Sequence, residues 1–139
     1  AELLEDSLEA LHQTMQKAFT ETPAEQSART VIYAFFHYYA DRPKEFSLGL
    51  YLFQGIGQRG LGPAIDQRLN MRLQACVDLL GLSLKRAKGL STESSAIKQM
   101  HIFTYLMGLL LLLHTKRLKS LEQQADALLE LFCNDLERI

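Results

Sequence analysis

Two cysteines in 139 residues, Cys76 and Cys133, stand far apart and form no C-x-x-C pair. That excludes a secreted disulfide framework and predicts reduced thiols in a cytoplasmic protein. The four histidines, His12, His37, His101 and His114, show no H-x-x-x-H or H-E-x-x-H spacing, and none lies near a cysteine in sequence. No metal site is expected. His37 and His101 fall in apolar helical stretches, where a hydrogen-bonded core or pocket histidine is the ordinary case. Nucleophile motifs such as G-x-S-x-G are absent. No carboxylate lies inside an apolar stretch, where desolvation would tune it for acid–base work. Neither an enzyme nor a cofactor is expected. The net charge of -1 supplies no overall field for nucleic acid or an anionic membrane. A bilayer span needs about 20 apolar residues. The longest unbroken run, Leu106 to Leu113, falls short and predicts a buried helix. No signal peptide opens the chain. Its start, "AELLEDSLEALHQTM", is already in helical register, which predicts a further segment ahead of residue 1 in the parent protein.

What is present is helical periodicity over one domain's length. Six helices are predicted. Leu4, Leu8, Leu11, Met15 and Phe19 give the first an apolar stripe that fades at Thr20. The second opens on "TPAE", where Thr22 caps, Pro23 takes the first helical position and Glu25 completes a capping box. Phe35-Phe36-His37-Tyr38-Tyr39 then point to most sides of that helix, which places it centrally. The third opens at Pro43 in "RPKE", and the fourth at Pro63. The fourth carries Ile65, Leu69, Leu73, Cys76, Leu80 and Leu84 on one stripe. It ends in "KRAKG": Lys85, Arg86 and Lys88 complement the negative end of the helix dipole, and Gly89 caps it.

Gly55, Gly57 and Gly60 spell G-x-G-x-x-G after an alternation of Leu48, Leu50 and Leu52. A dinucleotide fingerprint needs a parallel sheet and an acidic residue about 20 positions on, at the end of a second strand. No other segment reads as a strand, and Asp78 lies in a helical pattern. Phe46, Leu50 and Phe53 also form a helical stripe from Pro43. The glycines therefore read as a loop between two helices.

The fifth helix is capped by Ser91 and extends to about Arg117. Ala96, Met100, Phe103, Met107 and Leu111 are expected on its core face. Ile102, Leu106, Leu109 and Leu113 then form a second apolar face that needs another cover, most simply a second subunit. The sixth opens at Ser120 in "SLEQ". Its stripe, Leu121, Ala125, Leu128, Leu129, Phe132 and Leu136, is wider than one groove requires. Ile102, Leu106, Leu109, Leu113, Leu121, Leu128 and Phe132 are thus the expected homodimer surface, with Gly108 beside it for close helix approach. The architecture expected is an all-α antiparallel bundle whose last two helices pair with their copies as a four-helix bundle.

Taken together, "YYADRPKEFSLGLYLF" and "IKQMHIFTYLMGLLLLLHTKRLKSLEQQADALLELF" resemble the C-terminal effector-binding and dimerisation domain of TetR-type transcriptional regulators. The first is similar to that family's acidic-x-Pro-x-x-aromatic helix opening. The second is similar to its final helix pair, with a glycine in the apolar helix. The resemblance covers nearly the whole chain. It implies a bacterial regulator in which a small molecule entering this domain shifts the spacing of two DNA-binding heads. Those heads, N-terminal helix-turn-helix domains, are not in this sequence, so DNA binding belongs to the parent protein only. The first helix would be the latter part of the helix linking the two domains. By position, Phe36, Tyr39, Phe53, Leu73, Cys76, Met100, His101 and Thr104 would line the pocket, which suits an apolar effector. The competing expectation is a self-standing helical protein–protein interaction module with no small-molecule ligand.

Overall fold

The computed structural model describes residues 2–55 and 63–138. Among them every regular element is helical. The order is α1 (Glu2–Glu21), a 3-10 turn (Ala24–Gln26), α2 (Ser27–Ala40), α3 (Pro43–Gly55), α4 (Pro63–Lys88), α5 (Thr92–His114), α6 (Arg117–Ser120) and α7 (Ala125–Glu137). The all-α expectation holds among these residues, with seven helices where the sequence suggested six. Gly55 closes α3, while Gly57, Gly60 and Gly62 lie outside the described residues.

Most of the start and stop signals act as their chemistry dictates. Ser91 caps α5 through its side chain, which accepts from the Ser94 amide at 3.1 Å. Gly89 closes α4 with φ +66, its amide returning to the Lys85 carbonyl at 2.7 Å. The box expected at "TPAE" does not form. The Thr22 hydroxyl instead donates backwards to the Ala18 carbonyl at 2.6 Å. Residues 24–26 make the 3-10 turn, and α2 begins at Ser27. A hydroxyl can satisfy its own preceding turn as readily as the next helix, and here the former wins.

The end of the chain departs further from expectation. Ser120 closes α6 rather than opening the last helix. Glu122 takes φ 59, its amide bonds the Lys119 carbonyl, and the Gln123 amide bonds the Leu118 carbonyl at 2.8 Å. That is a Schellman closure, with glutamate at the left-handed position where glycine is usual. Lys116, at φ 63, ends α5 in the same region. Neither break carries a glycine, so periodicity alone runs α5 on to about Arg117 and places a capping box at Ser120.

α2 is the central helix, packed against α1, α4 and α5. Val31, Ile32, Phe35, Phe36, Tyr38 and Tyr39 are all buried, as its aromatic run predicts. His37 is not: it faces out, against the rings of Tyr33 and Phe36. Around α2 stand Leu11 and Met15 of α1, Cys76, Leu80 and Leu84 of α4, and Ile102 and Leu106 of α5. Burying each such aliphatic or aromatic side chain stabilises by about 1.5–3 kcal/mol. A smaller cluster, Leu4, Leu8 and Leu69, joins α1 to α4. Above it Arg68 and Arg72 both reach Glu5, at 2.8 and 3.0 Å. The Arg72 hydrogen bond leads in holding the Glu5 carboxyl below its ordinary range.

The contact between α4 and α5 decides how α5 is rotated. Gly81 lies so close to Gln99 that a Cβ there would come 2.1 Å from the Gln99 Oε1. Gln99 also donates to Asp78 of α4 at 2.9 Å. These contacts turn the face of α5 that carries Gln99 onto α4. At 23 residues, α5 is also long and apolar enough to cross a membrane by length and composition.

Candidate functional site

Successive residues of α5 step by about 100°. Ser95, Ile102, Phe103, Leu106, Leu109 and Leu110 are buried and share one side of the helix. The opposite arc, about 120° wide, runs through Ile97, Met100, His101, Thr104, Gly108, Leu111 and Leu112, all exposed. Ile97 is 76% exposed and Leu111 46%. A Cβ added at Gly108, in the middle of this arc, would meet nothing within 4 Å.

The expected dimer surface therefore needs correction. Ile102, Leu106 and Leu109 are buried by their own chain, and Leu113 is half-buried at the same side. These residues face α4 and α2, not solvent. Of the residues expected to face the core, Phe103 is buried and Met107 half-buried, while Ala96, Met100 and Leu111 are exposed. The physical reason lies at the start of the helix. Ser95 and Gln99 occupy the core side there, so polar residues mask the stripe that packs. In the last segment, Leu121 is exposed, Leu128 half-buried and Phe132 buried. Phe132 is stacked on Tyr105 with centroids 4.1 Å apart, and the Tyr105 hydroxyl donates to the Leu128 carbonyl at 3.0 Å. Leu131 of α7, which was not singled out from the sequence, is 55% exposed.

The same rotation separates the expected pocket residues. Phe36, Tyr39 and Cys76 are buried in the main core, with Leu73 half-buried beside it. Met100, His101 and Thr104 are exposed on the other side of α5. They cannot share a cavity with Phe36 and Tyr39. His101 instead leans on Phe132, ring centroids 5.5 Å apart. The side chain of Phe53 lies outside the described residues.

Two of the depressions elsewhere on the described residues hold ion pairs or hydrogen-bonded carboxylates. One, of about 260 Å³, opens between α2, α4 and α7. Ile32, Leu84, Ala87 and Leu136 supply apolar walls, and Arg29, Lys88, Glu25 and Glu137 supply charge. Arg29 Nε donates to Glu137 Oε1 at 2.7 Å, and its Nη2 reaches Asn134. Lys88 Nζ donates to the Glu137 carbonyl. These residues come from separate helices with no spacing in common, so no motif announces them. Cys133, also in the wall, is buried, and desolvation pushes its thiol up to about 11. Burial pushes Cys76 up to about 12. Neither thiol has the accessible, electropositive setting of a reactive cysteine.

The other depression, a groove of about 420 Å³, lies along α1 and α3. Ser7 and Tyr38 both donate to Glu45 Oε1, each at 2.7 Å, and Arg42 lies over the Tyr38 ring at 4.2 Å. Partial burial opposes ionisation of Glu45. The two hydroxyls and Arg42 outweigh it and hold the carboxyl below its usual range. Burial, then the Glu45 hydrogen bond, pushes the Tyr38 phenol up to about 12. This network ties three helices together. No group of three or more histidine, cysteine or acidic side chains among the described residues is arranged to hold a metal.

The cations at the end of α4 are engaged within the chain. Arg86 donates to the Phe19 carbonyl at 2.6 Å, Lys85 to the Thr92 hydroxyl at 3.0 Å, and Lys88 to Glu137. No family model matches the chain, and neither does any curated protein or solved structure.

Proposed function

We infer that this chain is the ligand-sensing and dimerisation domain of a bacterial TetR-type transcriptional regulator, paired two-fold through α5 and α7. One observation carries the reading: the exposed apolar arc of α5. Ile97, Met100, Leu111 and Leu112 stand in water on a helix whose other side already fills the core. Leu131 on α7 is exposed as well. Several large apolar side chains exposed along one side of a helix mark an association site, and a two-fold axis through it would cover both copies at once. Gly108, open at the middle of the arc, lets two backbones come close. The interface would bury on the order of 2,000 Å². An effector that prefers one arrangement of the paired domains would lower operator affinity by its differential binding, a coupling free energy between two sites.

A second reading, a helical protein–protein interaction module, has its own support. Met100, His101 and Thr104 lie on the outer arc, so the pocket expected for an apolar effector is not assembled from those residues. The same arc would then receive a different protein.

Sedimentation of the chain across micromolar dilution tests the pairing. A dimer supports the regulator reading, and a persistent monomer favours the module. The parent reading frame tests the rest. A helix-turn-helix segment upstream of residue 1 supports a regulator; a start codon at residue 1 contradicts it.

A further inference from the structure

We propose that the cleft between α2, α4 and α7 binds a small carboxylic acid with an apolar body. Two cations from different helices converge there on one residue. Arg29 of α2 holds the Glu137 carboxylate at 2.7 Å, and Lys88 of α4 holds the main-chain carbonyl of the same residue. Both positive charges of the wall are thus turned on Glu137, one at its carboxylate and one at its carbonyl. The remaining charged lining residue, Glu25, is exposed to solvent. Half-buried Lys88 meets a neutral carbonyl where a carboxylate would form the stronger, charge-assisted bond.

Glu137 itself shows that this wall accepts a carboxylate. Its side chain is 48% exposed, and an ion pair so open to water contributes little. It can swing out with small loss. The incoming carboxylate would then take the Arg29 fork and the Lys88 ammonium together. Ile32, Leu84, Ala87 and Leu136 would cover the apolar body. A volume of about 260 Å³ lies below the usual range for drug-sized ligands, which limits the body to a medium chain or a single ring.

This site deepens the sensing half of the regulator reading. It rests on that reading for what the ligand signals, and binding itself needs only one chain. The test is titration calorimetry of the full chain with octanoate, with octanol and octylamine as matched controls. Octanoate is expected to bind saturably and at least about tenfold more tightly than either control, as a charge-assisted contact requires. Lys88→Met keeps the aliphatic stem and should weaken octanoate about tenfold, while octanol is unaffected. Ala87→Phe should fill the cleft and abolish binding, with the helical circular dichroism retained. Equal affinity for all three probes, no saturable binding, or full affinity in Lys88→Met would overturn the proposal. A dimer that ignores octanoate would sink the cleft and leave the regulator reading standing; a monomer that binds it would do the reverse.

Discussion

Leu109 and Leu111 are two residues apart on α5 and should behave as though they belonged to different problems. Leu109 is 4% exposed within its own chain. Truncating it to alanine opens a cavity in the core, which costs about 2–5 kcal/mol of folding stability. Leu111 retains 46% of its surface in water. Full burial of a leucine stabilises by about 1.5–3 kcal/mol, so covering the remaining half contributes about 0.7–1.5 kcal/mol per copy. A two-fold dimer counts it twice. Leu111→Ala should therefore raise the dimer Kd roughly tenfold to a hundredfold, with little effect on the fold of the monomer. Leu111→Arg should abolish pairing and leave a helical monomer. Sedimentation equilibrium reads the association, and urea unfolding well below the dimer Kd reads the fold, because dimerisation otherwise adds to apparent stability. The outcome that refutes the reasoning is the reverse pattern: Leu109→Ala dissociating a well-folded dimer while Leu111→Ala destabilises the monomer. That result would return Leu109 to the interface and show the rotation of α5 to be wrong.

Two further expectations concern titration and reactivity. The Glu45 carboxyl is held below its usual range, so its contribution is present at neutral pH and is lost as pH falls through that lowered value. Glu45→Gln should flatten the acid limb of the stability profile below about pH 4.3, the ordinary glutamate value, as read by thermal melts; an unchanged limb would remove the carboxylate from the account. Cys76 and Cys133, buried with thiols pushed up to about 12 and about 11, should ignore a thiol reagent in the native protein and both react once it is unfolded. Fast native labelling of either would show that its burial is incomplete.

Much of the framework was legible in the sequence because it rests on local chemistry. Pro43, Pro63, Ser91 and Gly89 act within a turn of themselves, and their preferences for helix ends come from φ angle, a missing donor or a side-chain acceptor. The stripe of α4 and the aromatic run of α2 marked buried faces because the apolar residues there outnumber any alternative. The breaks at Lys116 and Glu122 were not legible. Left-handed backbone at a lysine and a glutamate has no compositional mark; it persists where the surrounding chain holds it. The two apolar faces of α5 were also visible, but which one meets its own chain was not. That depended on Gln99 reaching Asp78 and on Gly81 letting α4 approach, contacts between residues far apart in sequence. Periodicity measures how apolar residues are spaced around a helix, not what stands opposite them. The tertiary structure therefore decided that Ile102, Leu106 and Leu109 are core, that Ile97, Met100 and Leu111 are surface, and that Arg29, Lys88 and Glu137 share one cleft.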